Sequence, residues 1–559
     1  MLAGCWLLAA AAAAGCCWLL LAAAAAAAAA NQLYPSADGY TQNLPNGADD
    51  GRTRNWAWQN SNWVQANFSD PVLRGWTKAL ADTSNGDLVM RIGGGPQDEV
   101  VFAAGNYSWH PNVNQGGGCN ASAFDYSIGD CVVLTPQHFS AMMDFSHVVG
   151  VKLVFGLSAM YGACCVRYDD TRIIYGTGHC AGVNLTGSCC RAPSVNLTGS
   201  CHRVPVSACS HEKVPLGKCR PWDSSNTLEI LKHAHAHPHP PFGFELGNEL
   251  DAAGSDRTGP ELLSYFVKLA AMIDEVWSDT PKDMRPKVIG FDNDFGGAAY
   301  NRSLSVAVLE TAKPFLHAFT YHQYGCGGGP DPKCVDKEYL HGGGNGKSGA
   351  ADYSLVRKVV PAAEIWLGEG GGQGCASGPD TQQLKSNELT DVYWWLDALG
   401  ALALSGQQRW LRETLAGGWY GLVNLTSMEV YPDYYGALLF SKLMGPEVLT
   451  ATVSSGVQYS PKAYAHCARQ KGYLTLLLFN FGNTSVTAAI APATGSATGV
   501  YRLNGPLYGH GIYLNGKLLQ LGDDKALPPM EPVAPSGPLV LAPLDIAFVT
   551  VKTEGKACQ

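Results

Sequence analysis

Charge is scarce in this chain, and positive charge is in deficit. Only 15% of the residues are charged, and the formal net charge is −9. Nucleic-acid recognition demands a basic face, so no nucleic-acid partner is expected. Charge is missing altogether before Asn31, where Ala, Leu, Cys and Trp make up nearly the whole run, and the usual basic start of a secretory leader is absent. The many cysteines lack paired C-x2-C spacing, which weakens a zinc reading. The Gly runs resemble phosphate loops only superficially, and no cofactor is expected. Residues 31–60 contain no convincing β-run.

What is present is a large apolar content, 46% of 559 residues, enough to bury cores for two or three domains. Residues 1–30 are long and apolar enough to span a bilayer, and Ala28 to Ala30 resemble a signal-peptidase site. They read as a cleaved signal peptide or an uncleaved anchor, the latter implying membrane association. Either places the body in an oxidising compartment: extracellular or cell wall, with membrane-anchored, lysosomal or vacuolar alternatives. Asn-x-Ser/Thr sequons at Asn67, Asn106, Asn120, Asn184, Asn196, Asn301, Asn424 and Asn483 agree with a glycoprotein.

Residues 31–85 form a polar, Trp-rich segment, a degenerate region for a first strand. From residue 86, short β-rich runs alternate with helical stretches. The runs are 88–92, 151–155, 242–246, 287–291, 318–321, 364–367 and 399–404, and the helical candidates include 259–276 and 384–396. Such alternation predicts parallel βαβ units and a (β/α)8 TIM barrel over 86–445. From 446 to 559, strand-like runs joined by Gly/Pro/Asn turns predict a C-terminal β-sandwich, which Cys467 and Cys558 bracket as a predicted disulfide. Residues 159–241 interrupt the barrel with a cysteine cluster and a duplicated VNLTGSC (183–189 and 195–201). A disulfide-stapled insertion is expected there, with a metal site as rival because His233, His235, His237 and His239 follow. That His/Ala/Pro run reads as a low-complexity linker.

Two apolar runs end in acids. FGFELGNEL (242–250) delivers Asn248 and Glu249, and IWLGEGGG (365–372) delivers Glu369. Two strand-end carboxyls are what a retaining glycosidase needs, one to protonate the leaving oxygen and one to attack the sugar. Glu245 and Glu364, within the strands, read as structural.

With MRIGGGPQDEVVF (90–102), TYHQYG (320–325), RETLAGGWYGLVN (412–424), YPDYYGALLFSKLMG (431–445), YAHCARQ (464–470) and terminal KACQ, these motifs resemble the heparanase-like proteins of glycoside hydrolase family 79, especially the plant and algal branch. The resemblance implies a retaining glycosidase acting on β-linked glucuronides, with a glucuronic-acid-containing glycan or small glucuronide as partner. Carried over residue by residue, Glu249 is the acid/base and Glu369 the nucleophile. Asn248 contacts the sugar near its 2-hydroxyl, His322 and Tyr324 flank the nucleophile, and Asp98 reaches sugar hydroxyls or orients its Gly-rich turn. Tyr420 and the backbone near Cys375 and Ala376 cradle the glucuronate carboxylate. The family's cysteine pair falls on Cys467 and Cys558. An acidic stretch, 291–295, stands where the animal enzyme has basic residues, an argument against sulfated polymers. A catalytically silent binding relative and a glycosidase for a neutral sugar are the alternatives.

Overall fold

The computed structural model describes residues 16–22, 32–36, 67–94, 97–98, 100–102, 132–159, 221–250, 259–294, 306–323, 353–372, 388–416, 421–424, 427–454, 461–490, 495–553 and 558–559. The strands of its first two-thirds are β1 (Cys16–Ala22), β2 (Gln32–Ser36), β3 (Val89–Ile92), β4 (Val100–Phe102), β5 (Val132–Leu134), β6 (Lys152–Leu157), β7 (Gly243–Leu246), β8 (Lys287–Asp294), β9 (Leu316–His322), β10 (Glu364–Gly370) and β11 (Arg409–Glu413). Eight of them pair in the order β2-β11-β10-β9-β8-β7-β6-β3, every described ladder parallel. That is the cyclic order of a (β/α)8 barrel, hydrogen-bonded through all neighbours except the β2–β3 seam. Strands β3 and β7 are buried at every position, as expected where helices cover the outside and side chains fill the inside.

Local chemistry starts the helices where the sequence breaks. Asp70 caps Pro71–Thr83 by accepting from the N–H groups of Val72 and Leu73 at 2.8 and 3.0 Å. Thr135 caps Pro136–Val149 by accepting from His138 N–H at 3.1 Å. Both have Pro at the first helical position, where its missing N–H costs nothing.

Three expectations are corrected. First, Gln32–Ser36 is a barrel strand, aligned with Arg409–Glu413. Five residues including Pro35 carry too little apolar pattern to announce it. Second, residues 399–404 are not a strand but the end of helix Leu389–Leu404. Ala, Leu and Gly dominate that run, without a β-branched residue, and the eighth strand is Arg409–Glu413. Its charged residues hide it in sequence, yet every one of its positions is buried. Third, the first half of the His/Ala run is helical: Ser225–Ala236 carries His233, whose Nε2 lies 2.9 Å from Ser140 Oγ.

Part of the apolar N-terminal run forms strand β1. Strand β1 lies antiparallel to Val448–Ser454 and parallel to Val486–Ile490 within the C-terminal sheet. No helix among the described residues is long and apolar enough to cross a membrane.

The C-terminal β-sandwich shows a period of two. On Tyr473–Phe479 and Ile546–Lys552, Leu477, Phe479, Ile546 and Phe548 join the core shared with the barrel. The alternate residues Leu474, Leu476, Leu478, Ala547, Val549 and Val551 form a separate core. Both faces are therefore buried, which explains why these strands read as unbroken apolar runs. Helices Leu389–Leu404 and Pro432–Leu443 lie between barrel and sandwich and are buried nearly all round. Cys467 and Cys558 are bonded, with Cα atoms 5.1 Å apart, tying the strand Lys462–Cys467 to the chain end.

Candidate active site

The strands deliver a set of ionisable side chains to their C-terminal ends, the face on which barrel enzymes work. Strand β7 stops at Gly247, whose φ of 74° opens the turn, and Gly247 N–H donates to Leu157 O at 2.8 Å. Asn248 follows, then Glu249 with φ of 49°. A left-handed backbone at a glutamate costs free energy and persists only when its surroundings impose it. Here Glu249 N–H donates to Asp292 O at 3.0 Å, fixing the turn to β8.

Glu369 lies on β10 beside His322 on β9, the two aligned across the ladder. One carboxylate oxygen of Glu249, one of Glu369 and a ring nitrogen of His322 all lie within 4.8 Å of one another. The Glu249 side chain is 23% exposed and that of Glu369 is 5% exposed, so the first opens to solvent and the second lies deeper.

Arg91, fully buried on β3, holds the floor of this site. Its Nε donates to Glu245 Oε2 at 2.5 Å, Nη1 to Glu369 Oε2 at 3.0 Å and Nη2 to Asn248 Oδ1 at 2.9 Å, and Nη2 also donates to Asp292 Oδ2. His322 bridges two acids: its Nδ1 is 2.7 Å from Glu249 Oε1, and its Nε2 is 2.7 Å from Asp292 Oδ1. Burial works against charge on Glu245, Asp292 and His322. Glu245 is pushed up to about 8 by burial, against the pull of Arg91 and with a push from Asp292. Asp292 resists its burial because Arg91 and His322 hold its carboxyl below the usual range. His322 is likewise buried, but Asp292 and Glu369 raise it well above an ordinary histidine. The atoms of Glu249, His322 and Glu369 are close enough to surround a cation, but Arg91 and the His322 ring already supply positive charge there.

The sequence-predicted residues divide as follows. Asn248, Glu249, His322 and Glu369 converge. Asp98 sits behind them: its Oδ2 accepts from Asn248 N–H at 2.7 Å and its Oδ1 from Ala159 N–H at 2.8 Å, so it fixes the acid-bearing turn. Glu364 lies at the opposite end of β10, where its Oε2 accepts from Trp366 Nε1 and Arg409 Nε at 2.8 and 3.0 Å. Tyr324, Cys375, Ala376, Tyr420 and residues 160–220 of the cysteine-rich insertion lie outside the described residues, as do Asn106, Asn120, Asn184, Asn196 and Asn301. Asn67 and Asn483 are exposed, whereas Asn424 is half-buried and its amide nitrogen donates to Tyr431 Oη at 2.8 Å.

Arg91 and Asp292 were missed from sequence. A lone arginine inside the apolar run Leu88–Ile92 is the signal for the first, because a barrel strand has no place for an unpaired cation. Asp292 belongs by sequence to the acidic stretch 291–295. It is fully buried, with its charge compensated by Arg91 and His322, so it gives no ground for excluding sulfated polymers.

An eight-stranded barrel with two glutamates meeting at its strand ends is an architecture that glycoside hydrolases use. The family description "Glycosyl hydrolase family 79, N-terminal domain" matches residues 209–400. Heparanase-like protein 3 of Arabidopsis thaliana is 26% identical over 89% of this chain and 86% of its own length. Baicalin-beta-D-glucuronidase of Scutellaria baicalensis is 27% identical over 90% and 88%. The family match and these relatives together support a heparanase-like protein of glycoside hydrolase family 79. Among solved structures, a 4-O-alpha-L-rhamnosyl-beta-D-glucuronidase from Fusarium oxysporum 12S shares the fold, with a TM-score of 0.55, 13% identity and coverage of 96% of this chain and all of that one.

Proposed function

We propose that this glycosidase hydrolyses β-linked glucuronides with retention, Glu369 acting as nucleophile and Glu249 as general acid, then base. The observation that carries the reading is the approach of the two carboxyls to within 4.8 Å. Retaining enzymes hold them about 5–5.5 Å apart, whereas inverting ones need about 6.5–9.5 Å to admit a water. Their environments fit the roles: Glu369 is buried and oriented by Arg91, while Glu249 reaches the open side.

In the first step a Glu369 oxygen attacks the anomeric carbon, the bond to the aglycone oxygen breaks, and Glu249 gives that oxygen its proton. In the second, Glu249 takes a proton from water as the water attacks the glycosyl ester, releasing Glu369. The preference for glucuronate is supported by the named activity of the Scutellaria relative. Tyr420 and the backbone at Cys375 and Ala376 are proposed to receive the sugar carboxylate, with Tyr324 beside the nucleophile. We also place the protein in an oxidising, extracellular setting, for which the Cys467–Cys558 bond is the support.

A panel of aryl β-glycosides tests the reading. Glucuronide should be turned over well above glucoside, galactoside and xyloside, with β-glucuronate as the first product by proton NMR. α-Glucuronate appearing first would exclude double displacement. Preference for a neutral sugar would move the assignment to another glycoside, and a Tyr420→Phe variant that leaves the glucuronide-to-glucoside ratio unchanged would remove that side chain from the carboxylate pocket.

A further inference from the structure

The hydrogen-bond partners of His322 fix where a proton must sit. Asp292 Oδ2 accepts from Arg91, which keeps that carboxyl ionised, so its Oδ1 accepts from His322 Nε2–H at 2.7 Å. The opposite ring nitrogen, Nδ1, is 2.7 Å from Glu249 Oε1. A bare ring nitrogen and a carboxylate oxygen are both acceptors, and two acceptors do not approach to that distance without a proton between them. One proton therefore lies on the Glu249–His322 pair, drawn either as Glu249–OH donating to Nδ1 or as Nδ1–H donating to the carboxylate. The two descriptions carry the same total charge, and the pair titrates as a unit.

We propose that His322, backed by Asp292, is a positioning residue that stores the proton Glu249 delivers to the leaving group. The proposal rests on the reading of Glu249 as acid/base and adds how that acid stays loaded. With Nδ1 2.7 Å from its Oε1, the Glu249 carboxyl shares its proton with the ring while the cleft is open to water. When the aglycone oxygen enters, it competes with Nδ1 for that proton. Transfer breaks the O–H of Glu249 and makes the O–H of the alcohol, leaving Glu249 ionised and the ring with only its Nε2–H. In the second step the attacking water gives its proton to Glu249, which restores the shared proton, so atoms and charge balance over the cycle.

Among the described residues, these charged groups surround the ring. Asp292 on β8 lies behind it, Glu249 after β7 lies in front, and Glu369 on β10 approaches Nδ1 at 3.7 Å. Arg91 on β3 and Glu245 on β7 act from the floor, with Arg91 tying down Asp292 and Glu369. The two carboxylates Asp292 and Glu369 make the ring more basic than an ordinary histidine despite its burial.

The test is Asp292→Asn, with His322→Gln as a second variant. Whichever way the amide turns, the charge behind the ring is gone. The basic limb of the kcat/KM profile for phenyl β-glucuronide should fall by about one pH unit or more, since one unit corresponds to only 1.36 kcal/mol of altered interaction. The loss should be larger for phenyl than for 2,4-dinitrophenyl β-glucuronide, because the latter departs without a proton. A variant that slows both substrates equally and leaves the basic limb in place would show a structural role and overturn the proposal. Nitrogen-15 NMR of labelled histidine gives an answer that needs no substrate. The His322 midpoint should lie above that of free histidine in the wild type and fall in Asp292→Asn, whereas equal midpoints overturn the proton store. Should the wild type turn over no aryl glycoside, the glycosidase roles fail while the NMR comparison still decides the stored proton. Should Asp292→Asn not fold, Glu249→Gln serves in its place: loss of the shared proton's partner should shift the His322 midpoint, and an unchanged midpoint again overturns the proposal.

Discussion

Arg91 donates from Nη1 to Oε2 of Glu369 at 3.0 Å, and the same guanidinium reaches Glu245 and Asp292. One cation thus anchors a buried acid from each of three barrel strands, β7, β8 and β10. A guanidinium suits this place because its planar fork serves several acceptors at once, which an ammonium cannot. Removing it leaves buried carboxyls without compensation. Arg91→Met should destabilise the protein by about 3–5 kcal/mol in urea titration, the range for breaking a buried ion pair from one side. Arg91→Lys should recover part of that stability but little of the turnover, since the ammonium cannot hold Glu369 and Asp292 together. A lysine variant with wild-type kcat would mean that orientation of Glu369 does not depend on the fork.

The two glutamates should be separable by rescue. Glu369→Ala removes the attacking group, so added azide should occupy the vacated face and form the α-glucuronyl azide. Glu249→Ala leaves the nucleophile in place. An activated aryl glucuronide should still form the glycosyl-enzyme, and azide should then yield the β-azide. The loss in the second variant should be about 10²–10⁴-fold for a poor leaving group, the range of general acid catalysis, and small for a good one. The same azide anomer from both variants would leave the roles unassigned.

The legible part of this protein was whatever had a sequence pattern of its own. Apolar runs ending in Asn-Glu and in Glu-Gly-Gly mark strand ends, and those two acids meet in space. The helix Gly259–Val276 shows its period directly and is found over those residues. Elements whose character comes from their neighbours were not legible. Arg409–Glu413 looks polar, yet Arg409 is absorbed by Glu364 and Asp87, and Arg412 by Asp391 and Asp433. Gln32–Ser36 is held by its ladder with β11 rather than by its own propensity. Asp292 shows the same limit at the site: its sign can be read from sequence, but the direction it faces is decided by a strand and an arginine two hundred residues earlier.

Stability should fall on acidification through His466. This ring is fully buried, its Nδ1–H donates to Gly445 O at 2.8 Å, and burial lowers its pKa to about 4 from the ordinary 6.5. The unfolded chain therefore binds a proton between pH 6.5 and 4 that the folded chain refuses. Stability is complete above 6.5, declines as pH falls, and levels off below about 4. The loss from this residue amounts to about 3 kcal/mol at pH 4, at 1.36 kcal/mol per unit. His317, lowered to about 4 by burial and by Lys287 and Lys152, acts in the same direction. His466→Gln should flatten the decline in melting temperature between pH 6.5 and 4.5. An unchanged slope would assign the acid sensitivity to other groups.

Two glycines in helices should respond oppositely to alanine, because only one of them is covered. A Cβ on Gly400 would lie 2.3 Å from Tyr464 Cγ, and that ring cannot retreat because its Oη donates to Asp397 Oδ1 at 2.8 Å. Gly400 is where helix Leu389–Leu404 meets the sandwich strand Lys462–Cys467, so the added methyl would push the two domains apart. Overpacking of this kind costs about 1–3 kcal/mol. Gly75, in helix Pro71–Thr83, is exposed, and a Cβ there would meet nothing within 4 Å. Gly75→Ala should therefore gain about 0.5–1 kcal/mol from helix propensity alone. Thermal unfolding of the two variants gives the comparison. A stabilised Gly400→Ala would show that the helix and the strand pack less closely than their side chains indicate.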